Sequence, residues 1–365
     1  MKIKRINAMK IILAGMIGIV LVANFALKDV FAQDEKLSKE LNVFNWEDYF
    51  GKTTLSDFEK KYGVKINLET YKDEDEMLSA VQSNSGKYDI IVASGACIRE
   101  LKEMRLLAEL DLTNIPNLKN IERKYRNPNY DNKNKFSIPY LWGTTGLAYN
   151  SKYIKQEVTS WNLLLDPELK GKIAMLNNID EVFAVGLASL GYSPNESSTE
   201  KLNQAGKLLL KQKELLAGYM DPITIRSKLV SGELWAANIY SGEAMFAKEQ
   251  NSALKYIIPK EGAYIWVDTL AVPRDSKNKY TAEVFINYVL DPKVSAKIVN
   301  YLWYANCNIA ASQYTLKEIL ENKSLYPAPE VLDKCEFIKV EGDAGELRDH
   351  QKIRNKFWSQ IYKLE

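Results

Sequence analysis

Apolar positions recur along this chain with two alternating periods. Leu41-Asn42-Val43-Phe44-Asn45 reads as a short strand, and Leu55, Phe58 and Tyr62 then follow at i, i+3 and i+7. That spacing predicts a helix over 54–62, stopped by Gly63. Val64, Ile66 and Leu68 alternate, which predicts a second strand, while Met77, Leu78 and Val81 share one side of a helix over 75–85. Tyr88-Asp89-Ile90-Ile91-Val92-Ala93 has the continuous apolar character of a strand covered on both faces. This β-α-β-α-β order predicts a parallel sheet flanked by helices. Ligands bind beyond the carboxyl ends of such strands, here at Trp46 to Tyr49 and at Ser94-Gly95-Ala96.

The pattern continues past a first crossover, Phe136 to Gly143 followed by Gly146 to Asn150. Ser160 caps a helix opening at Trp161. Lys172 to Leu176 is a strand, and Asn177-Asn178-Ile179-Asp180 turns into a helix from Glu181 to Leu190, closed by Gly191. Glu181 near a helix N-terminus also suits the helix dipole, a purely structural role. An amphipathic helix over 200–216, strands over 234–240 and 254–259, a helical stretch over 281–302 broken at Asp291-Pro292, and a C-terminal helix over 348–364 complete the series.

One strand departs from the pattern. Tyr264-Ile265-Trp266-Val267-Asp268-Thr269-Leu270-Ala271 alternates so that Trp266 and Asp268 share a face and Val267 points away. A half-exposed edge strand explains this; so does a cation-binding face made of a ring and a carboxylate. Trp46-Glu47-Asp48 repeats the spacing at the end of the first strand.

Composition narrows the function. At 365 residues the chain can build two domains, and 46% hydrophobic residues suit a folded protein. Lys+Arg 49 against Asp+Glu 47, with the basic residues scattered, excludes the one-sided basic surface of a nucleic-acid binder. The single histidine, His350, leaves little for a Ser-His-Asp device or a zinc site. Cys97, Cys307 and Cys335 lack metal spacing and are expected as three buried thiols. Lys2, Lys4, Arg5 and Lys10 precede an apolar run, Ile11 to Leu27, and then Val30-Phe31-Ala32. This predicts an export signal over 1–32, with an uncleaved anchor as the alternative. Either places the body in the periplasm or elsewhere on the extracytoplasmic side of the inner membrane.

Catalytic motifs fail on inspection. Gly51-Lys52-Thr53 ends like a phosphate loop, but Trp46 stands where its first glycine belongs. No Gly-x-Ser-x-Gly, His-Glu-x-x-His or Cys-x-x-Cys occurs. Glu74-Asp75, and Glu341 with Asp343, read as solvated faces. No catalytic residue, metal or cofactor is expected, and the chain is read as a non-enzyme.

Several stretches, in order from about Leu41 almost to the end, carry a resemblance. Phe44-Asn45-Trp46-Glu47-Asp48-Tyr49, Tyr88-Asp89-Ile90-Ile91-Val92 with Ser94, Ser137-Ile138-Pro139-Tyr140-Leu141-Trp142-Gly143, Glu181-Val182-Phe183 with Leu190-Gly191-Tyr192, and Pro259-Lys260-Glu261-Gly262 before Trp266 to Pro273 resemble the bacterial polyamine-binding proteins, the spermidine/putrescine receptors of ABC importers. The resemblance implies an α/β, two-lobe periplasmic-binding-protein fold of type II. Each lobe is a mostly parallel sheet flanked by helices, and two crossovers hinge them. It divides the chain into 39–144 plus 266–314 and 145–265 plus 315–365. It implies a monomer that closes on a polyamine and docks on an ABC permease with its ATPase.

The resemblance also implies the cleft residues: Trp46, Asp48, Tyr49, Ser94, Trp266, Asp268 and Tyr304 from the first lobe and crossover, Asn178, Glu181 and Tyr240 from the second. Tyr240 stands where many members have tryptophan. An ammonium offers three donors and no acceptor, so it suits carboxylates and ring faces; Asp48, Asp268 and Glu181 would anchor amines. Asn178 stands where spermidine-selective members carry aspartate, Ala96 where they carry a tyrosine and Ile338 where they carry a glutamine. These departures weaken the end that holds spermidine's extra amine. With Asp48 in place of glutamate they imply putrescine binding at least as tight as spermidine, although Trp266 follows the spermidine type. Two other readings stay open: a binding protein for another ligand, such as a sugar or ferric ion, and a surface adhesin or sensor on the same fold.

Overall fold

Strand β1 (Glu40–Trp46) pairs in parallel with β2 (Lys65–Tyr71) along its whole length, from Glu40 opposite Lys65 to Trp46 opposite Tyr71. Its other edge meets β3 (Ile90–Ser94), again in parallel, with Val43 opposite Ile90. These relations come from a computed structural model, which describes residues 36–338 and 344–362. The export signal over 1–32 lies outside the described residues, as do Glu341 and Asp343. The described residues from Lys39 onward form one compact unit.

The intervening helices follow from local signals. Helix α1 (Thr54–Tyr62) ends at Gly63, whose φ of 69° is the left-handed conformation glycine adopts freely. Helix α2 (Glu74–Ser83) starts where the Asp73 carboxylate accepts the amide of Glu76, and α3 (Gly95–Glu103) where Ser94 Oγ accepts the amide of Cys97. Phe44, Tyr71, Met77, Ile91 and Ile98 fill the core between these helices and the sheet.

Two antiparallel strands turn this parallel unit into a mixed sheet. Strand β9 (Tyr264–Ala271) lies between β3 and β4 (Ser137–Asn150), so the Trp266-Val267-Asp268 strand is interior rather than an exposed edge. All fourteen residues of β4 are buried. Its first half pairs with β9; its second half pairs with β7 (Ala236–Tyr240) and β8 (Leu254–Ile257). One strand therefore carries the chain from one sheet region to the other. The second region adds β5 (Ile173–Leu176) and β6 (Leu216–Met220), both parallel to their neighbours, around a separate core of Leu147, Trp161, Phe183, Leu209 and Phe357. The C-terminal helix Ala344–Ile361 packs on this core, with the Phe357 ring against Gly206.

Some expectations shift. Trp161–Leu165 is a short 3-10 turn rather than an α-helix, although Ser160 does cap it. Helix α5 (Thr199–Lys213) ends early, and the residues after it form β6, whose Leu-Ala-Gly-Tyr-Met sequence carries no β-branched residue to announce a strand. The break expected at Asp291-Pro292 is present: Asp291 caps a new helix at Pro292, between Lys279–Val289 and Pro292–Leu302. All three cysteines are free, but only Cys97 and Cys307 are buried; Cys335 is half-buried. Among the described residues no helix is long and apolar enough to cross a membrane.

Candidate functional site

A cavity of about 240 Å3 opens where the ends of β1, β2 and β3 face the N-termini of α4 (Ile179–Ser189), α6 (Pro222–Ser231) and α7 (Ser241–Gln250). Asp268 lines it. Neighbouring strands fix this residue on both sides, Ser94 in β3 and Leu141 in β4, and a bulge between Pro139 and Leu141 precedes that register. The Asp268 carboxylate is buried and accepts a 2.7 Å bond from the Tyr49 hydroxyl. Burial pushes its pKa up to about 7; the Tyr49 bond acts in the opposite direction.

Aromatic rings enclose this carboxylate. Trp266 packs edge-on against Tyr240 at 5.7 Å and Tyr304 at 5.5 Å, and Tyr304 packs edge-on against Tyr49 at 5.4 Å. Two glycines make room. A Cβ on Gly143 would lie 2.4 Å from the Trp266 ring, and one on Gly242 would lie 2.3 Å from the Tyr304 ring. Burial raises the phenols of Tyr49, Tyr240 and Tyr304 well above their usual value, so all three remain protonated donors. On the far side, Trp46 lies 4.4 Å from Tyr71, its partner across β1 and β2.

Of the ten residues expected in the cleft, eight line this cavity: Trp46, Tyr49, Ser94, Asn178, Tyr240, Trp266, Asp268 and Tyr304. Two do not. Asp48 sits in a turn with a φ of 54°, its side chain 62% exposed, and its nearest cation is Arg226 at 3.9 Å. Strand β1 has ended at Trp46, so the shared face expected for Trp46 and Asp48 does not form. Glu181 is buried behind Tyr240 and accepts a 2.8 Å bond from Thr145 Oγ1. Burial raises its pKa to about 8. Asn178 caps α4, its Oδ1 accepting the amides of Asp180 and Glu181.

The structure adds carboxylates that the sequence reading left out. Glu74, read as part of a solvated face, is half-buried and lines the cavity, whereas Asp75 is exposed as expected. Glu243 is buried, takes a 2.9 Å ion pair from Arg226 and accepts from the Tyr304 hydroxyl at 3.3 Å. Asp180 and Asp221 also line the cavity; Asp180 is paired with Arg354, and Asp221 caps α6. A signal was available. Glu74 lies three residues beyond the end of β2 and Glu243 three beyond the end of β7, the strand ends where such sheets bind ligands. Among the described residues no group of His, Cys, Asp or Glu is arranged to hold a metal ion.

Comparison with known proteins places these features among relatives. The family model described as "Bacterial extracellular solute-binding protein" matches residues 53–325. Spermidine/putrescine-binding periplasmic protein 1 of Haemophilus influenzae is 32% identical over 305 residues, covering 83% of this chain and 84% of that protein. The putrescine-binding periplasmic protein PotF of Escherichia coli is 30% identical over 343 residues, covering 88% and 91%. A solved structure of a putative spermidine/putrescine ABC transporter protein from Listeria monocytogenes superposes with a TM-score of 0.82 at 31% identity, over 89% of this chain and all of that one.

Proposed function

The chain belongs to the bacterial extracellular solute-binding proteins, and on that footing we propose that it captures a polyamine in the cavity around Asp268 and delivers it to an ABC importer. The observation that carries this reading is the charge balance of the lining. Glu47, Glu74, Asp180, Asp221, Glu243 and Asp268 face the cavity, against Lys72 alone as a basic lining residue, and that side chain is exposed. Arg226 and Arg354 stand behind the lining on Glu243 and Asp180 and offset part of the excess. Buried carboxylates of one sign repel each other and disfavour their own ionisation. A ligand with several ammonium groups reverses both effects, and the rings of Trp266, Tyr240 and Tyr304 cover its methylene segments.

The anchors proposed are Asp268 and Glu243, on either side of the Tyr49–Tyr304 pair, with Trp46, Ser94, Asn178, Tyr240 and Trp266 around them. Glu181 supports the Tyr240 side from behind. Asp48 reaches the site through Arg226. The two sheet regions, 39–144 plus 266–314 and 145–265 plus 315–365, act as lobes that close on the ligand by bending where β4 and β9 cross between them. The body works outside the inner membrane as a monomeric, non-catalytic receptor and meets its permease there.

Titration of the purified protein by calorimetry with putrescine, cadaverine, spermidine and spermine tests the reading. Saturable one-to-one binding of at least one amine is expected; no heat from any of them, with the protein shown folded, would overturn it. A second reading has one observation behind it. The indole N–H groups of Trp46 and Trp266 are buried without an acceptor, which favours a ligand carrying an acceptor, such as a sugar. Binding of a neutral sugar in the same titration, and not of amines, would establish that alternative.

A further inference from the structure

The cavity has an end that the two proposed anchors do not use. Ser94, the strand partner of Asp268, lines the cavity together with Glu74. Glu74 opens α2 at the carboxyl end of β2 and lines the cavity beside Ala96, Asn178 and Ile338. Tyr304 and Tyr49 connect Glu243 to Asp268, and Glu74 is a further carboxylate on the same lining.

The three carboxylates differ in what already neutralises them. Glu243 has Arg226 at 2.9 Å. Asp268 has the Tyr49 hydroxyl. Glu74, among the described residues, forms no ion pair with a lysine or arginine. Its charge reaches the other acids, since it raises the pKa of Asp268 and of Glu181, while Asp180 acts the same way on Glu74. An uncompensated, half-buried carboxylate in a cleft of like charge is costly unless a cation meets it. The expectation that this end is neutral rested on Asn178, Ala96 and Ile338 and took no account of Glu74.

Resting on the polyamine reading above, we propose that Glu74 is a further ammonium anchor, so that the cavity offers a third carboxylate beside Asp268 and Glu243 and selects a linear triamine over a diamine. A triamine places a third charge where a diamine leaves Glu74 unmet. Ala96 and Ile338 on the same lining offer apolar contact to methylene segments, and Asn178, committed to capping α4, contributes no charge.

Calorimetry with spermidine and putrescine on the intact protein and on Glu74→Gln tests this. The wild-type protein is expected to bind spermidine at least tenfold more tightly than putrescine. Glu74→Gln should weaken spermidine tenfold or more and putrescine threefold or less, with its thermal melting curve confirming the fold. Spermidine acetylated on its aminopropyl nitrogen carries one charge fewer, so on the wild-type protein it should fall to the level of putrescine. Equal wild-type affinity for the two amines, equal losses for both in Glu74→Gln, or acetylated spermidine binding as tightly as spermidine would each overturn the assignment. Absence of binding by both amines to the wild-type protein would overturn the polyamine reading itself, and this assignment with it.

Discussion

Trp46-Glu47-Asp48 and Trp266-Val267-Asp268 carry the same residues at the same spacing, and the fold uses them differently. In the second, strand neighbours flank both sides, β3 at Ser94 and β4 at Leu141, so the extended backbone continues through Asp268 and keeps ring and carboxylate on one face. In the first, Trp46 is the last residue of β1 and has a partner only in β2, while β3 pairs with β1 no further than Phe44. The backbone then turns, Asp48 takes a positive φ and its side chain goes to solvent. What enters the site from this turn is the next residue, Tyr49, whose hydroxyl lands on Asp268. Two-residue spacing implies a shared face only while the hydrogen-bond ladder persists.

The contrast predicts unequal mutants. Asp268→Ala removes a buried acceptor from the acid-lined cavity and should weaken the preferred amine about 100-fold, roughly 3 kcal/mol, by calorimetry. Next in size is Tyr49→Phe. It deletes the donor that holds the Asp268 carboxylate ionised, so affinity at pH 7 should fall about tenfold and recover in part at higher pH. A Tyr49→Phe protein with unchanged affinity would mean that the turn supplies nothing to the site.

A pH series sharpens the same point. The folded Asp268 carboxyl titrates at about 7, against an ordinary value of 3.8, and Glu181 at about 8, against 4.5. The folded protein thus keeps protons that the unfolded chain has already released. Its ligand-free stability should fall as pH rises from about 4 to about 8, and Asp268→Asn should flatten part of that fall in thermal melts. Amine affinity should move the opposite way, rising severalfold between pH 6 and 8 as the carboxylate ionises, with protons released on binding near pH 7. Affinity independent of pH over that range would show that Asp268 is not the anchor. The smallest effect expected is Asp48→Ala, threefold or less in affinity, because an exposed carboxylate at 3.9 Å from a guanidinium contributes little. A loss equal to that of Asp268→Ala would erase the distinction between the two motifs.

Local patterning made most of the framework legible. The apolar periods located β1 to β3 and the helices between them, because each element buries one continuous face. The two-residue alternation correctly paired Trp266 with Asp268. Strand β6 stayed hidden because Leu216 to Met220 has neither alternation nor β-branching and depends on β5 for its place. In the cleft, Trp46, Tyr49 and Ser94 were legible just beyond strand ends and Trp266 as the ring beside Asp268, whereas Tyr240 and Tyr304 were implied only by the family resemblance. Glu74 and Glu243 were not legible, because a carboxylate on the first turn of a helix is spelled the same whether it meets solvent or a cavity.

The sequence by itself determined the elements, their parallel start and the chemistry of a ring-and-carboxylate cation site, since these depend on neighbours a few residues away. The tertiary structure alone decided which acids are buried and which line the cavity. Asp268, Glu243 and Glu74 come from different strands and helices, Glu74 and Glu243 lie 169 positions apart, and only the packing of α2, β9 and α7 brings their charges into one cavity. Burial raises a carboxyl's pKa and makes its ionised form costly without a cation, and burial is a property of that packing rather than of any one residue.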